Sequence, residues 1–409
     1  MFINQTAIAI LVISGPMLLV NSNANASTVY KCQSNGITTY SDSSSGSSCK
    51  SLTAQPKQNK YVCWANQGKG RKYYSDTNGG QACMLNTSSQ GVAVSAAPAT
   101  SSLPTDSIFS STSFWYKPIP SNAPLHENST NFVTEFVNQK TQYYNNVTIN
   151  TYNYSSPVFN VDATTPKADV AFNDCQHKGY LDSNFASMMK QVSIPAYALP
   201  SNGSDKEVSF YDKDSKTLWE LWHANKDTTT GKWTACWGGK MSNTNLDQGI
   251  FQKGYGTTAT GLPFLGGQIT AEELQRGEIK HVIGISLVNT EKFSIISWPA
   301  NRSDGYNPNN LPNRIAEGQR FRLDPAINVD SLPMSKAGKT IAKAAQKYGF
   351  VVWDKAGSIS IRAQNAMSYT ATGIADPYPV LYEKKPSYAV LNGFPWEKLQ
   401  FLPMNYGKP

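Results

Sequence analysis

Charge is scarce in this chain. Asp, Glu, Lys and Arg make up 16% of the 409 residues, below the usual quarter. A surface poor in Lys and Glu, and rich in Ser, Thr, Asn, Gly and Tyr, is typical of exported β-proteins. Chemical signatures are also missing. There is no G-x-S-x-G elbow, no H-E-x-x-H pair, no phosphate loop of the G-x-x-x-x-G-K-[ST] type and no EF-hand loop. The common serine hydrolase, zinc protease, nucleotide and calcium sites are therefore not expected. No close cysteine pair such as C-x-x-C occurs, so no metal is expected. Beyond residue 26 no apolar run approaches the ~20 residues of a membrane span.

What is present sets a frame. Hydrophobic content of 40% and aromatic content of 11% support a core, and the length allows two or three domains. The net charge of +8 favours anionic partners, acidic glycans, envelope lipids or nucleic acid among them. The alternative is a basic surface with no specific partner. Residues 1–26 read as a signal peptide: an apolar run from Ala7 to Val20, then Ala24-Asn25-Ala26 as a small-x-small cleavage pattern. The amino-terminal region lacks Lys and Arg, which departs from the pattern. The expected location is secreted or periplasmic. The six cysteines suit an oxidising compartment.

Residues 29–86 hold an internal repeat, VYKCQSNGITTYSDSSSGSSCKSL and YVCWANQGKGRKYYSDTNGGQACMLN. Each copy reads as a small β-hairpin too weak to stand alone. A bridge within each copy would close roughly 17 to 20 residues, worth about 3 kcal/mol by chain entropy. The expected pairs are Cys32–Cys49, Cys63–Cys83 and, by remainder, Cys175–Cys236. The repeats resemble the short cysteine-paired modules at the N-termini of many bacterial envelope proteins; a spacer or wall-binding module is the functional reading, and an inert stapled hairpin is the other. Residues 87–112, small, polar and Pro-punctuated, read as a linker.

The main domain is expected over 113–409. A helix is predicted over Thr130–Gln142, a hairpin from Glu207–Tyr211 and Leu218–His223, and a capping box at Thr270–Glu273 opening a short helix that ends at Gly277. Strands are predicted at Ile279–Val288, Phe293–Pro299 and Glu317–Leu323. An amphipathic helix is predicted over Ser335–Tyr348, followed by a strand pair, Phe350–Asp354 with Ser358–Ala363. Gly254–Gly267 has no βαβ context and no Lys, so it reads as a connection between strands and not as a nucleotide site. Many short strands and few helices imply a mainly β chain, with a β-sandwich or jelly-roll-like main domain.

The stretches FYDKDSKTLWELWHA, KWTACWGGKM, GTTATGLPFLGGQITAEEL, IKHVIGISL, SWPANRSDG and EGQRFRLDP resemble a group of secreted bacterial proteins, over most of Ser113 to Asp354. The resemblance implies compartment and domain extent.

Val208 to Gly305 holds five of the nine tryptophans. Three ionisable residues stand out there. Glu220 and His281 lie on strands, and Asp304 ends one. If the sheet curls, they would meet in one cleft lined by Trp222, Trp298 and Arg302. That arrangement suits a glycan site, with Glu220 as acid or nucleophile and His281 as base. Each residue also has a plain structural reading: Glu220 paired with a cation, His281 held by a backbone carbonyl, Asp304 in a turn. Glu272 and Glu273 are explained by capping. The expected function is thus a carbohydrate-active or carbohydrate-binding protein, a polysaccharide hydrolase or lyase if an enzyme, with no cofactor and acidic polysaccharide favoured. The alternative is a non-enzymatic surface or adhesion protein. Nucleic acid is disfavoured because the lysines are scattered.

Overall fold

A computed structural model describes residues 107–409 and, in the N-terminal part, the backbones of six strands: Val29–Ser34, Ile37–Ser41, Cys49–Leu52, Tyr61–Trp64, Lys72–Ser75 and Cys83–Leu85. The expected signal peptide and most of the expected linker lie outside the described residues. Contacts divide the chain into two compact units, Met1–Cys63 with Tyr73–Val92, and Trp64–Lys72 with Ala93–Pro409.

Each repeat forms a three-stranded sheet where a hairpin was expected. The segment carrying the second cysteine pairs back on the first strand. Register sets Cys32 opposite Cys49 and Cys63 opposite Cys83. The two bonds themselves involve side chains outside the described residues.

Packing against the main domain is already made before Ser113. Phe109 is buried, and the Ser110 amide donates to the Asp247 carbonyl at 2.9 Å. One large aromatic in an otherwise small, polar stretch is enough to dock it. From there the elements run α1 (Ser129–Gln142), β1 (Thr148–Asn150), β2 (Val158–Val161), β3 (Val208–Asp212), β4 (Thr217–Trp222), β5 (Trp237–Met241), α2 (Ala271–Arg276), β6 (Ile283–Leu287), β7 (Arg320–Leu323), α3 (Lys336–Lys347), β8 (Phe350–Lys355), β9 (Ser360–Arg362) and β10 (Leu399–Phe401). Shorter pieces lie between. The chain is mainly β, in several sheets with few helices.

A four-stranded sheet has the order β5-β4-β3-β2, and a six-stranded sheet the order β10-β7-β8-β6-β9-β1. Both mix parallel and antiparallel pairs: β2 runs parallel to β3, and β6 parallel to β8. The expected partnership of Phe350–Asp354 with Ser358–Ala363 is corrected, because β6 inserts between β8 and β9. The Ile-Gly-Ile-Ser-Leu run of β6 is buried at every residue, as a central strand covered on both faces must be.

Three apolar clusters hold these layers. One packs β6 to β8 against α1 and α3. There Ser335 caps α3 by accepting from the Gly338 amide. Ile341 is fully buried on the helix's inner face, worth about 2 kcal/mol. A second cluster covers one face of β3 and β4. The third lies between the two sheets, with Tyr211 and Leu218 from one side and Val351 and Trp353 from the other. Alternate residues of β8 thus serve different cores. Gly284 makes room for this packing: a Cβ there would fall 2.3 Å from the Trp353 ring.

The strand predicted at Phe293–Pro299 is a loop. Its apolar residues Phe293 and Ile295 are exposed, and one isolated bridge, Ile296 to Glu317, ties it down.

Candidate functional site

The site grows from the β3–β4 hairpin. On β4, Trp219 and Leu221 enter the second core, so Leu218, Glu220 and Trp222 face the other way by strand alternation. Glu220 is fully buried there. Its carboxylate accepts from the Thr257 hydroxyl at 2.8 Å and the Leu265 amide at 3.2 Å. Burial pushes its pKa up to about 7, against those hydrogen bonds. Thr257 and Leu265 belong to the glycine-rich segment, which packs on β5 through glycines. The Gly256 amide donates to the Gly238 carbonyl at 3.0 Å. A Cβ on Gly239 would lie 2.8 Å from the Gly256 nitrogen. Arg302 pins the segment from outside, donating to the carbonyls of Gly254 at 2.9 Å, Gly256 at 3.0 Å and Thr258 at 2.7 Å.

This pinned segment is one wall of a cavity of about 450 Å³. Trp222 and Trp237, directly paired across β4 and β5, form another. Trp237 is fixed in place. It stacks with Phe185 and Tyr255, and its indole N–H donates to the Gly254 carbonyl at 2.9 Å. The Lys178 ammonium sits 4.3 Å from its ring centre. Lys178 rides on a loop anchored by the Cys175–Cys236 disulfide, the third expected pair.

Four carboxyl groups line the cavity: Asp205, Glu207, Asp304 and Asp354. Glu207 receives the Ser201 hydroxyl at 2.7 Å, and burial raises it above the usual carboxylate range. Asp354 ends β8 and meets the Arg362 guanidinium at 3.3 Å. Burial still outweighs that cation and pushes Asp354 up to about 7. Glu317 lies behind Asp304, fully buried, with neither oxygen in a hydrogen bond of ordinary geometry. Burial and the Asp304 charge push Glu317 up to about 9, with the nearby Ser303 hydroxyl opposing weakly. Two facing carboxylates have no hydrogen to share. Once Glu317 is protonated it has one O–H to donate to Asp304.

His281 lies elsewhere. It lines a second cavity of about 450 Å³ with Glu272, Glu273 and Lys280. Its Nδ1 faces the Val282 carbonyl at 2.8 Å, and its Nε2 faces Glu273 at 3.2 Å. Burial opposes the charge on both partners, but their mutual attraction wins: His281 is raised and Glu273 lowered. Glu273 also completes the capping box with Thr270.

The expected trio is therefore divided. Asp304, Trp222 and Arg302 share the first cavity, with Arg302 committed to backbone carbonyls. Glu220 is sealed behind its wall, bonded to one residue of each cavity, Thr257 and Leu265. His281 belongs to the second, because its strand starts only at Ile283 and the ring turns to α2. Trp298 packs on Phe114 at 5.3 Å and lines neither cavity. Sequence reasoning missed Glu207, Glu317 and Asp354. Asp354 and Glu207 had a usable signal, an acid at the end of an apolar strand. Glu317 had none. Matched against family models, curated proteins and solved structures, the chain has no counterpart in any of the three.

Proposed function

We propose that this is an exported carbohydrate-active protein, acting on envelope or environmental polysaccharide at the cavity of Trp222, Asp304 and Asp354. The observation that carries the reading is the carboxyl set itself. A proton-holding Asp354 and the carboxyl of Asp304 line one aromatic-walled cavity. Hydrolysis of a glycosidic bond needs a carboxylic acid to protonate the leaving oxygen and a carboxylate to act as base or nucleophile. A group with a pKa near 7 suits the donor role at neutral pH. Asp304 takes the second role, and Glu317, a neutral donor behind it, holds it in place. Trp222 offers a face for a sugar ring. Glu220 and His281, outside this cavity, take structural roles. Export is supported by the Cys175–Cys236 bond and by the resemblance to secreted bacterial proteins. The two larger sheets meeting across one core support the sandwich-like reading of the main domain.

The test is to incubate the full chain with a panel of acidic, neutral and amino polysaccharides and look for released oligosaccharides by mass spectrometry. At least one polymer should yield product, and Asp354→Asn and Asp304→Asn should each cut the rate by about 10² or more, with little change in melting temperature for Asp304→Asn and a lower one for Asp354→Asn, which takes the counter-charge from the buried Arg362. Binding without product would return the non-enzymatic surface protein. Neither binding nor product across the panel would overturn the reading.

A further inference from the structure

The cavity's rim carries aromatic side chains that the fold holds out in water. Tyr306 stands two residues beyond Asp304, and its ring centre lies 5.9 Å from the Lys355 ammonium; Asp304 and Lys355 both line the cavity. The Phe293 amide donates to the Gly305 carbonyl at 2.9 Å, which ties Phe293 to the arm that bears Tyr306. The two residues are 69% and 68% exposed, and Ile295 and Leu311 of the same loop are exposed as well. A single apolar residue in water needs no explanation, but four in one loop make a patch of the kind that takes a ligand. The loop is held, not frayed. Asn307 is buried; its amide donates to the Glu291 carboxylate at 3.1 Å and the Leu311 carbonyl at 2.9 Å, and it accepts from the Leu311 amide at 2.9 Å. A second loop repeats the pattern. Lys178 lines the cavity, and Tyr180, two residues on, is 61% exposed. Just ahead of it the Asp174 carboxylate accepts from the Lys178 and Gly179 amides at 2.8 and 2.7 Å.

We propose that Tyr180, and Tyr306 with Phe293, are outer subsites for the sugar units next to the one held in the cavity, so that the protein cleaves long chains at internal bonds. The proposal rests on the polysaccharide reading above. A sugar ring has a flat face of C–H groups and an edge of hydroxyls. It suits an exposed aromatic ring set beside polar groups. Lys292, next to Phe293, supplies such a group, with its ammonium 2.9 Å from the Asn310 side-chain oxygen. Continuity with the cavity argues for one ligand across both places. Each tyrosine lies two residues from a side chain that lines the cavity, so a chain leaving it meets these rings next. Two such exits let the chain run on from both ends of the unit inside. A second copy of this protein would cover the Phe293 patch, but it gives no reason for Tyr180 to adjoin the same cavity.

The test is the kinetics of the full chain on carboxymethylcellulose, polygalacturonate and chitosan, and on the trimer of each, for the unaltered protein, Tyr180→Ala, Phe293→Ala and Tyr306→Ala. On the polymer that is cleaved, long fragments should appear first. Each substitution should raise KM for that polymer about fivefold or more with kcat unchanged, while kcat/KM for the trimer stays within about twofold. Tyr306→Phe, which keeps the ring, should match the unaltered protein. A polymer KM unmoved in all three variants, or equal losses on polymer and trimer, overturns the outer subsites and leaves the polysaccharide reading intact. Release of only monomers and dimers from the start overturns internal cleavage, as does binding of a polymer without product. A dimer in sedimentation that Phe293→Ala dissolves overturns the glycan as occupant of that patch. Neither binding nor cleavage of any of the three polymers overturns the proposal and the reading beneath it together.

Discussion

Glu317 is an acid that the fold keeps protonated. Its side chain is fully buried and faces Asp304. The neutral form costs least there, because a second buried negative charge next to the first would add desolvation and repulsion. Its proposed task is to donate one hydrogen bond that aims Asp304. Glutamine can do the same through its amide N–H, whereas alanine cannot. Glu317→Gln should therefore keep glycan-cleaving activity within about tenfold, while Glu317→Ala loses about 10²-fold or more. Measuring kcat/KM for both variants decides it: equal large losses would show that the proton itself takes part in the chemistry. Residue roles of this kind were only half visible in the sequence. Asp304 stood out because of its place after Trp298-Pro299. Glu317 did not, because the contact between them closes through a loop with no periodic pattern. Glu273 was set aside as a helix cap, yet one carboxylate serves both Thr270 and His281. A capping motif explains a residue's position without exhausting its partners.

At the scale of elements, the glycine segment does more than connect. It forms a cavity wall, and two of its glycines make different demands. Gly254 and Gly256 both sit at positive φ, +95° and +98°, where an L-residue is strained. A Cβ on Gly254 would meet nothing within 4 Å, but on Gly256 it would fall 2.7 Å from the Phe251 ring. Gly254→Ala should thus cost strain alone, roughly 1 to 2 kcal/mol, and Gly256→Ala strain plus a clash, roughly 2 to 4 kcal/mol. Chemical denaturation of the two variants gives the comparison, and equal costs would mean the ring moves aside freely. Elements with local signals were legible from residues alone. The hairpin of β3 and β4, the capping box on α2 and the Ser335-capped α3 all formed where propensity and spacing placed them. Phe293–Pro299 did not become a strand, because alternation of apolar residues says nothing about whether a partner edge is available. The order of the six-stranded sheet was equally hidden, since parallel neighbours are joined by long crossovers that leave no short-range mark.

For the molecule as a whole, the buried acids act together on stability. Glu220 and Asp354 are raised to about 7 and Glu317 to about 9, all above the unfolded carboxylate values near 4. Between those limits the folded chain binds more protons than the unfolded one, so each rise in pH favours unfolding. Their stabilising contribution is complete below about pH 4 and is lost as pH climbs through 7 and then 9. His281, raised by its pairing with Glu273, runs the same way. The opposite sign comes from Glu273 and from surface acids such as Asp169 and Asp174, lowered by their hydrogen bonds. Their contribution is present above about pH 4 and disappears as acid protonates them. The two sets overlap near pH 4 to 5, where the lowered acids are ionised and the raised acids have lost little of their contribution. The melting temperature should peak there and fall by about 5 °C or more by pH 9. In Glu317→Gln the fall between pH 7 and 9 should shrink, while the fall from pH 5 to 7 should persist because Glu220 and Asp354 still titrate. Thermal melts followed by circular dichroism from pH 3 to 10 read both effects. A melting temperature that stays level or rises between pH 5 and 9 would mean that these carboxyls reach water before the chain unfolds, and with that the proton-holding character assigned to the cavity would be lost.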